Sequence, residues 1–183
     1  MHSERAPHAG EGRTRVDLDA VRDRAMFPLD GIDLDRLQLT RTDLEQWNPH
    51  RGHMAQLDGV VWTSPDKTSC VGMRDLRGDE FWVAGHFPGL PLFPGVLMIE
   101  SGAQLAGYLF NVRLEAPTTP AFLRIEDAAF RASVTVGDRL YLLCQEIKIG
   151  RRRFSCAIQG VVGDKIAFEA KVAGMTLAEG MPG

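Results

Sequence analysis

Thirty-two consecutive residues, Phe81 to Val112, carry a single formal charge, Glu100. Charged residues make up 25% of the chain, so a stretch of this length would ordinarily hold about eight. One histidine, His86, lies in the same run. The first half is broken by Pro88, Pro91 and Pro94 and by Gly85, Gly89 and Gly95, which suits a stiffened loop and no regular element. The second half, Val96 to Val112 behind Gly95, reads as a helix. Its apolar residues, among them Leu97, Met98, Ile99, Leu105 and Phe110, cover more than one stripe. Such a helix must be buried on most of its circumference.

Lipid is one possible cover. The run exceeds the roughly 20 residues a span needs, but its first half is irregular backbone that hydrocarbon cannot satisfy. The remainder contains Glu100 and Gln104, so a membrane span is rejected. Strands are the other cover. Leu57 to Thr63 and Lys67 to Leu76 flank the Ser64-Pro65-Asp66 turn, and Ala121 to Val134 follows the helix. Arg139 to Ile149, Arg152 to Val162 and Lys165 to Leu177 complete the set. Gly150, Val136-Gly137-Asp138 and Val162-Gly163-Asp164 mark tight antiparallel connections. The expected fold class is α+β: a long central helix wrapped by a curved antiparallel sheet of about five to six strands.

The 183 residues suffice for one domain. A net charge of -3 argues against binding nucleic acid through bulk positive charge. Cys70, Cys144 and Cys156 have no disulfide-framework or zinc spacing and are expected to be buried small apolar groups in a reducing, cytoplasmic compartment. The N-terminus lacks the apolar core of a secretory signal. Residues 1–40 read as a polar extension, disordered over the first fifteen or so, with a short amphipathic piece around Val16 to Phe27. Residues 41–183 form the domain proper. Thr42 and Glu45 are spaced as a capping box for a short helix that Asn48-Pro49 ends near Trp47.

Glu100 sits inside the apolar helix. A carboxylate taken from water there must be paired or kept protonated by a raised pKa. A structural carboxylate bonded to backbone or to an arginine of the sheet is an equal reading at this point. His86 alone could be an ordinary core histidine, but Gly85-His86-Phe87-Pro88-Gly89 would hold its imidazole in place. The Gly95 amide, with no side chain over it at a helix N-terminus, could approach an oxygen gaining negative charge. A base, an acid and an oxyanion donor lie within fifteen residues.

The segment Gly85-His86-Phe87-Pro88-Gly89-Leu90-Pro91-Leu92-Phe93-Pro94-Gly95-Val96-Leu97-Met98-Ile99-Glu100 closely resembles the signature of the FabZ-type 3-hydroxyacyl-[acyl-carrier-protein] dehydratases. Weaker likeness, including Asn48-Pro49-His50-Arg51, extends from about Leu44 to the end. The resemblance implies the hot-dog fold and an obligate dimer, with a trimer of dimers as a further possibility. It implies that His86 and Glu100 are the catalytic pair, the histidine of one subunit facing the glutamate of the other. Gly95 and Val96 would bind the thioester oxygen, and Phe87, Pro94, Leu97 and Gln104 would line or support the substrate tunnel. The implied partner is an acyl carrier protein bearing a 3-hydroxyacyl thioester, and the implied reaction is reversible loss of water without a cofactor or metal.

The chain departs from the family after Arg51, where Gly52-His53-Met54-Ala55-Gln56 replaces an aromatic or acidic residue followed by Pro-Phe. Gly102 is a poor helix former two residues after Glu100, suited to a close approach by backbone or acyl chain. His50 and His53 lack a third metal ligand and are taken as loop residues. Arg151, Arg152 and Arg153 read either as a solvated turn or as a docking patch for an acidic carrier protein. Two alternatives stand beside dehydration: another hot-dog thioester enzyme (enoyl hydratase, isomerising dehydratase or thioesterase) and a non-catalytic acyl-carrier-binding protein.

Overall fold

Seven antiparallel strands roll around one long helix in a computed structural model that describes residues 16–177. The elements are α1 (Leu18–Val21), β1 (Leu39–Thr40), α2 (Arg41–Leu44), β2 (Gly59–Thr63), β3 (Ser69–Asp75), α3 (Gly95–Asn111), β4 (Pro120–Phe130), β5 (Arg139–Ile149), β6 (Arg153–Val162) and β7 (Lys165–Thr176). The spatial order β1-β2-β3-β5-β6-β7-β4 places the strand that follows the helix at one edge. The six strands read from the sequence are present. The seventh is β1, whose two residues pair with Gly59 and Val60 and are too few to show a period.

α3 is buried as its apolar circumference requires, from Met98 through Asn111 except at the half-buried Glu100. Leu105, Leu109 and Phe110 meet Leu140, Leu142, Ile158 and Phe168 of the concave sheet face. Gly102 does admit a close neighbour, but it is a side chain: an added Cβ would lie 2.5 Å from Cδ1 of Ile158. At the helix end, the Asn111 amide donates to the Trp47 and Thr118 carbonyls at 2.6 and 3.0 Å.

The convex face is covered as well. Val21 and Leu29, in the chain before β1, pack on Val61, Val71, Met73, Tyr141 and Leu143. Tyr141 donates its hydroxyl to the Leu34 carbonyl at 3.1 Å, and the Gln159 side chain accepts the Met26 amide at 2.8 Å. With both faces covered, Ser69 to Arg74 of β3 are all buried, the pattern of a two-sided core strand. Of the amphipathic piece expected over Val16 to Phe27, only Leu18–Val21 is helical. The disorder expected of the first fifteen residues lies outside the described residues.

The capping box sits two residues before its expected position. Thr40 and Asp43, not Thr42 and Glu45, cap α2: Thr40 Oγ1 accepts the Asp43 amide and Asp43 accepts the Thr40 amide at 2.9 Å. Pairing of β1 with β2 delivers Thr40 in the extended conformation an N-cap needs. β4 stops at Phe130, short of the expected Val134. No helix among the described residues is long and apolar enough to cross a membrane. All three cysteines are buried free thiols, and among the described residues no group of three or more His, Cys, Asp or Glu could hold a metal ion.

Candidate active site

The loop from Trp82 to Phe93 is closed on itself by hydrogen bonds. The Trp82 carbonyl accepts the amides of Gly85 and His86 at 3.1 and 2.8 Å, and Leu92 donates its amide to the His86 carbonyl at 2.9 Å. His86 Nδ1 lies 2.9 Å from the Leu92 carbonyl oxygen. A carbonyl can only accept, so Nδ1 carries a proton, and in the neutral ring Nε2 presents the lone pair. The Phe87 ring, joined through a cis peptide, stacks on the imidazole with centroids 4.1 Å apart.

Pro94 is the N-cap residue of α3, and no side chain caps the helix. Its carbonyl accepts the amides of Leu97 and Met98, while the first amides, Gly95 and Val96, stand at the positive end of the helix dipole. An added Cβ at Gly95 would fall 2.7 Å from the Phe130 ring. Val96 is 72% exposed. Leu97 is half-buried against the core, and its carbonyl accepts the Ser101 hydroxyl at 2.7 Å.

Glu100 follows a little more than one turn later, with its side chain 21% exposed. Oε1 accepts from Gln104 Nε2 at 2.8 Å. Gln104 is buried and fully engaged: it also donates to the Met54 carbonyl at 2.6 Å and accepts the Gln56 amide at 2.9 Å. It therefore ties the segment after Arg51, where the sequence departs from the pattern it resembles, to the helix. His50 Nε2 lies 3.6 Å from Glu100 Oε1. Burial pushes the His50 pKa down, against the opposing pull of Glu100, so the ring stays neutral near pH 7. His50, expected as a loop residue, thus flanks the carboxylate; its place in Asn48-Pro49-His50-Arg51 is the signal the sequence offers.

A cavity of about 30 Å³ runs beside α3 from Glu100 and His50 past Ala103 and Gln104 to Phe122 and Phe154. That is far below the ~300–1,000 Å³ of ordinary ligand sites. Within one chain the structure does not bring His86 to Glu100: His86 bonds to Leu92, Glu100 to Gln104, and His86 does not line the cavity. Nor does it bring Arg151, Arg152 or Arg153 to either residue. All three are exposed at the β5–β6 turn, next to Phe154, which stacks on Phe110 about 15 Å of helix beyond Glu100.

The FabA-like domain family matches residues 48–171, a span that contains the loop, the helix and the sheet from β2 into β7. The FabZ 3-hydroxyacyl-[acyl-carrier-protein] dehydratase of Coxiella burnetii is 33% identical over 135 residues, covering 72% of this chain and 94% of its own. The chain belongs to the FabZ-type dehydratase family. The FabZ of Caulobacter vibrioides is 37% identical over 138 residues, covering 72% of this chain and 84% of its own. Among solved structures, the dehydratase heterocomplex ApeI:P from Xenorhabdus doucetiae superposes with a TM-score of 0.63. It is 17% identical, over 74% of this chain and 91% of that one. The roll of sheet around α3 is thus the hot-dog fold.

Proposed function

We propose that this chain is a 3-hydroxyacyl-[acyl-carrier-protein] dehydratase of fatty-acid or related lipid or polyketide biosynthesis, working as a homodimer. The observation that carries the reading is the bond between His86 Nδ1 and the Leu92 carbonyl, which leaves Nε2 as a base. Nε2 takes the proton from C2 of the thioester, and charge moves onto the carbonyl oxygen. The Gly95 and Val96 amides at the α3 N-terminus receive that charge. Glu100, protonated on the oxygen not held by Gln104, gives its proton to the departing 3-hydroxyl. The products are a trans-2-enoyl thioester and water, and proton exchange through solvent returns His86 and Glu100 to their starting states.

What one chain leaves open supports the dimer. Among the described residues β4 has a neighbour strand on one side only, and Leu123, Ile125 and Phe130 on it are half exposed. An apolar unpaired edge is a template for a second strand. A second chain there would enclose the small cavity and supply the His86 that Glu100 does not meet within its own subunit. Three free buried thiols suit a reducing, cytoplasmic setting.

The test is to give purified protein a 3-hydroxyacyl thioester on carrier protein and on coenzyme A, following enoyl product by absorbance and mass. Dehydration on carrier protein is expected, with His86→Ala and Glu100→Gln each lowering kcat by about 10²–10⁴-fold. Intact thioester in every arm would overturn the reading, and release of free acid would replace it with thioester hydrolysis.

A further inference from the structure

Arg74 of β3 is 2% exposed and has no part in the chemistry above. Its guanidinium meets three groups. Nη1 donates to the Gln56 carbonyl at 2.8 Å, Nη2 pairs with Glu80, and the charged plane lies 4.9 Å from the centre of the Phe93 ring. Glu80 also accepts the Trp82 indole N–H at 3.1 Å, and the Trp82 and Phe93 rings pack with centroids 5.3 Å apart.

Those two aromatic residues are the ends of the loop that holds His86. The Trp82 carbonyl accepts the His86 amide, and Phe93 directly follows the residue whose carbonyl holds His86 Nδ1. Arg74 therefore grips the loop where it begins and where it ends. Through Gln56 it reaches the chain's other reacting group, which serves the second site of the proposed dimer, because the Gln56 amide donates to Gln104, which donates to Glu100. One buried cation stands between the two arms.

Stability alone does not explain it. A well-packed apolar side chain of similar volume often serves a core as well as a buried ion pair does, or better. Among the described residues Arg74 Nε is buried without a protein hydrogen-bond partner, so the pair is not a fully satisfied structural network. What the guanidinium offers is directional: a planar fork and an aromatic-facing plane fixed at once.

We infer that Arg74 is a positioning residue of the dehydratase site, setting the His86 loop through Glu80, Trp82 and Phe93 and linking it through Gln56 to the Gln104–Glu100 arm. The inference rests on the proposed activity and sharpens it. Glu80 and Arg74 act as one unit, so loss of either should disorder the imidazole before it disorders the sheet.

The test uses the full chain labelled with ¹⁵N-histidine. Arg74→Met/Glu80→Gln removes both charges together, leaving no lone buried charge, and keeps an acceptor for the Trp82 indole. The variant should remain folded by circular dichroism. Its kcat should fall about 30- to 100-fold with KM within about threefold, the size expected when a reacting group is misplaced by about 1 Å. The His86 nitrogen signals should change from a single Nδ1–H tautomer to a mixture. Arg74→Lys, which keeps a cation opposite Glu80 but lacks the planar fork, should recover only part of the loss, with kcat about five- to twentyfold below wild type. Wild-type kcat and a wild-type His86 tautomer in the double variant would overturn the inference, as would a loss of activity that only tracks the unfolded fraction. Should the wild-type protein turn over no 3-hydroxyacyl thioester, the proposed activity fails, and the imidazole signals alone decide the positioning role.

Discussion

Gln104 stands one helical turn beyond Glu100 and donates to its Oε1 at 2.8 Å, while its own Oε1 accepts the Gln56 amide at 2.9 Å. The carboxylate is thus oriented by a side chain that the 50s segment holds in turn. Oε1 is the occupied oxygen, and Glu100 lines the small cavity beside α3.

Gln104→Leu keeps the volume and removes those bonds. The Met54 carbonyl and the Gln56 amide lose their partner beside a buried side chain. At about 1–3 kcal/mol for each buried group left unsatisfied, urea denaturation should show a loss of roughly 2–4 kcal/mol. The kcat should fall at least about tenfold because Glu100 is no longer aimed.

His50 makes stability depend on pH in a defined direction. Its folded pKa is lowered, by burial first, from an ordinary 6.5, so between the folded and unfolded values the unfolded chain binds the extra proton. Stability contributed by the neutral ring is present above about pH 6.5 and is lost as pH falls through the folded value. The slope attributable to this one group is at most about 1.4 kcal/mol per pH unit. Urea midpoints from pH 7.5 down to 5.5 should decline less steeply in His50→Gln than in wild type; equal slopes would remove His50 from the account.

Leu29 anchors the N-terminal segment on the convex face, 6% exposed beside Val21. Leu29→Ala should lower stability by about 2–4 kcal/mol. Its distance from the cavity means kcat at a temperature where the variant is folded should match wild type. A variant as stable as wild type would show that the segment lies on the sheet without supporting it.

Gly102→Ala tests the packing of α3 on β6. Alanine is the better helix former by about 1 kcal/mol, but its methyl would lie 2.5 Å from Ile158 Cδ1, and overpacking costs about 1–3 kcal/mol. Net destabilisation of about 1 kcal/mol is expected. Adding Ile158→Val removes the clashing carbon, so the double variant should melt higher than Gly102→Ala alone.

Legibility followed how local each determinant is. β5 spans Arg139–Ile149 as read from its turns and apolar run, and α3 begins at Gly95, because both are written in contiguous residues. The capping register was not legible, since Thr40-x-x-Asp43 and Thr42-x-x-Glu45 are both valid boxes. Pairing of Leu39 and Thr40 with a strand twenty residues away selects the first. Arg74 carries no local signal for a similar reason: its partners lie 18 residues back at Gln56 and 6 ahead at Glu80.

By itself the sequence determined the uncharged run from Phe81 to Val112, the helix within it, and the two ionisable groups that remain there, His86 and Glu100. Apolar periodicity and the Gly/Pro punctuation of a loop act over a few neighbouring residues and survive without the fold. Only the tertiary structure decided that His86 and Glu100 of one chain do not meet, that His50 and Gln104 flank the carboxylate, and that Arg74 joins the two arms. Those are matters of which polar groups become buried together. Hydrogen bonds and ion pairs across long sequence separations are chosen by the closing of the sheet around α3, where each buried group must find a partner that no local pattern names.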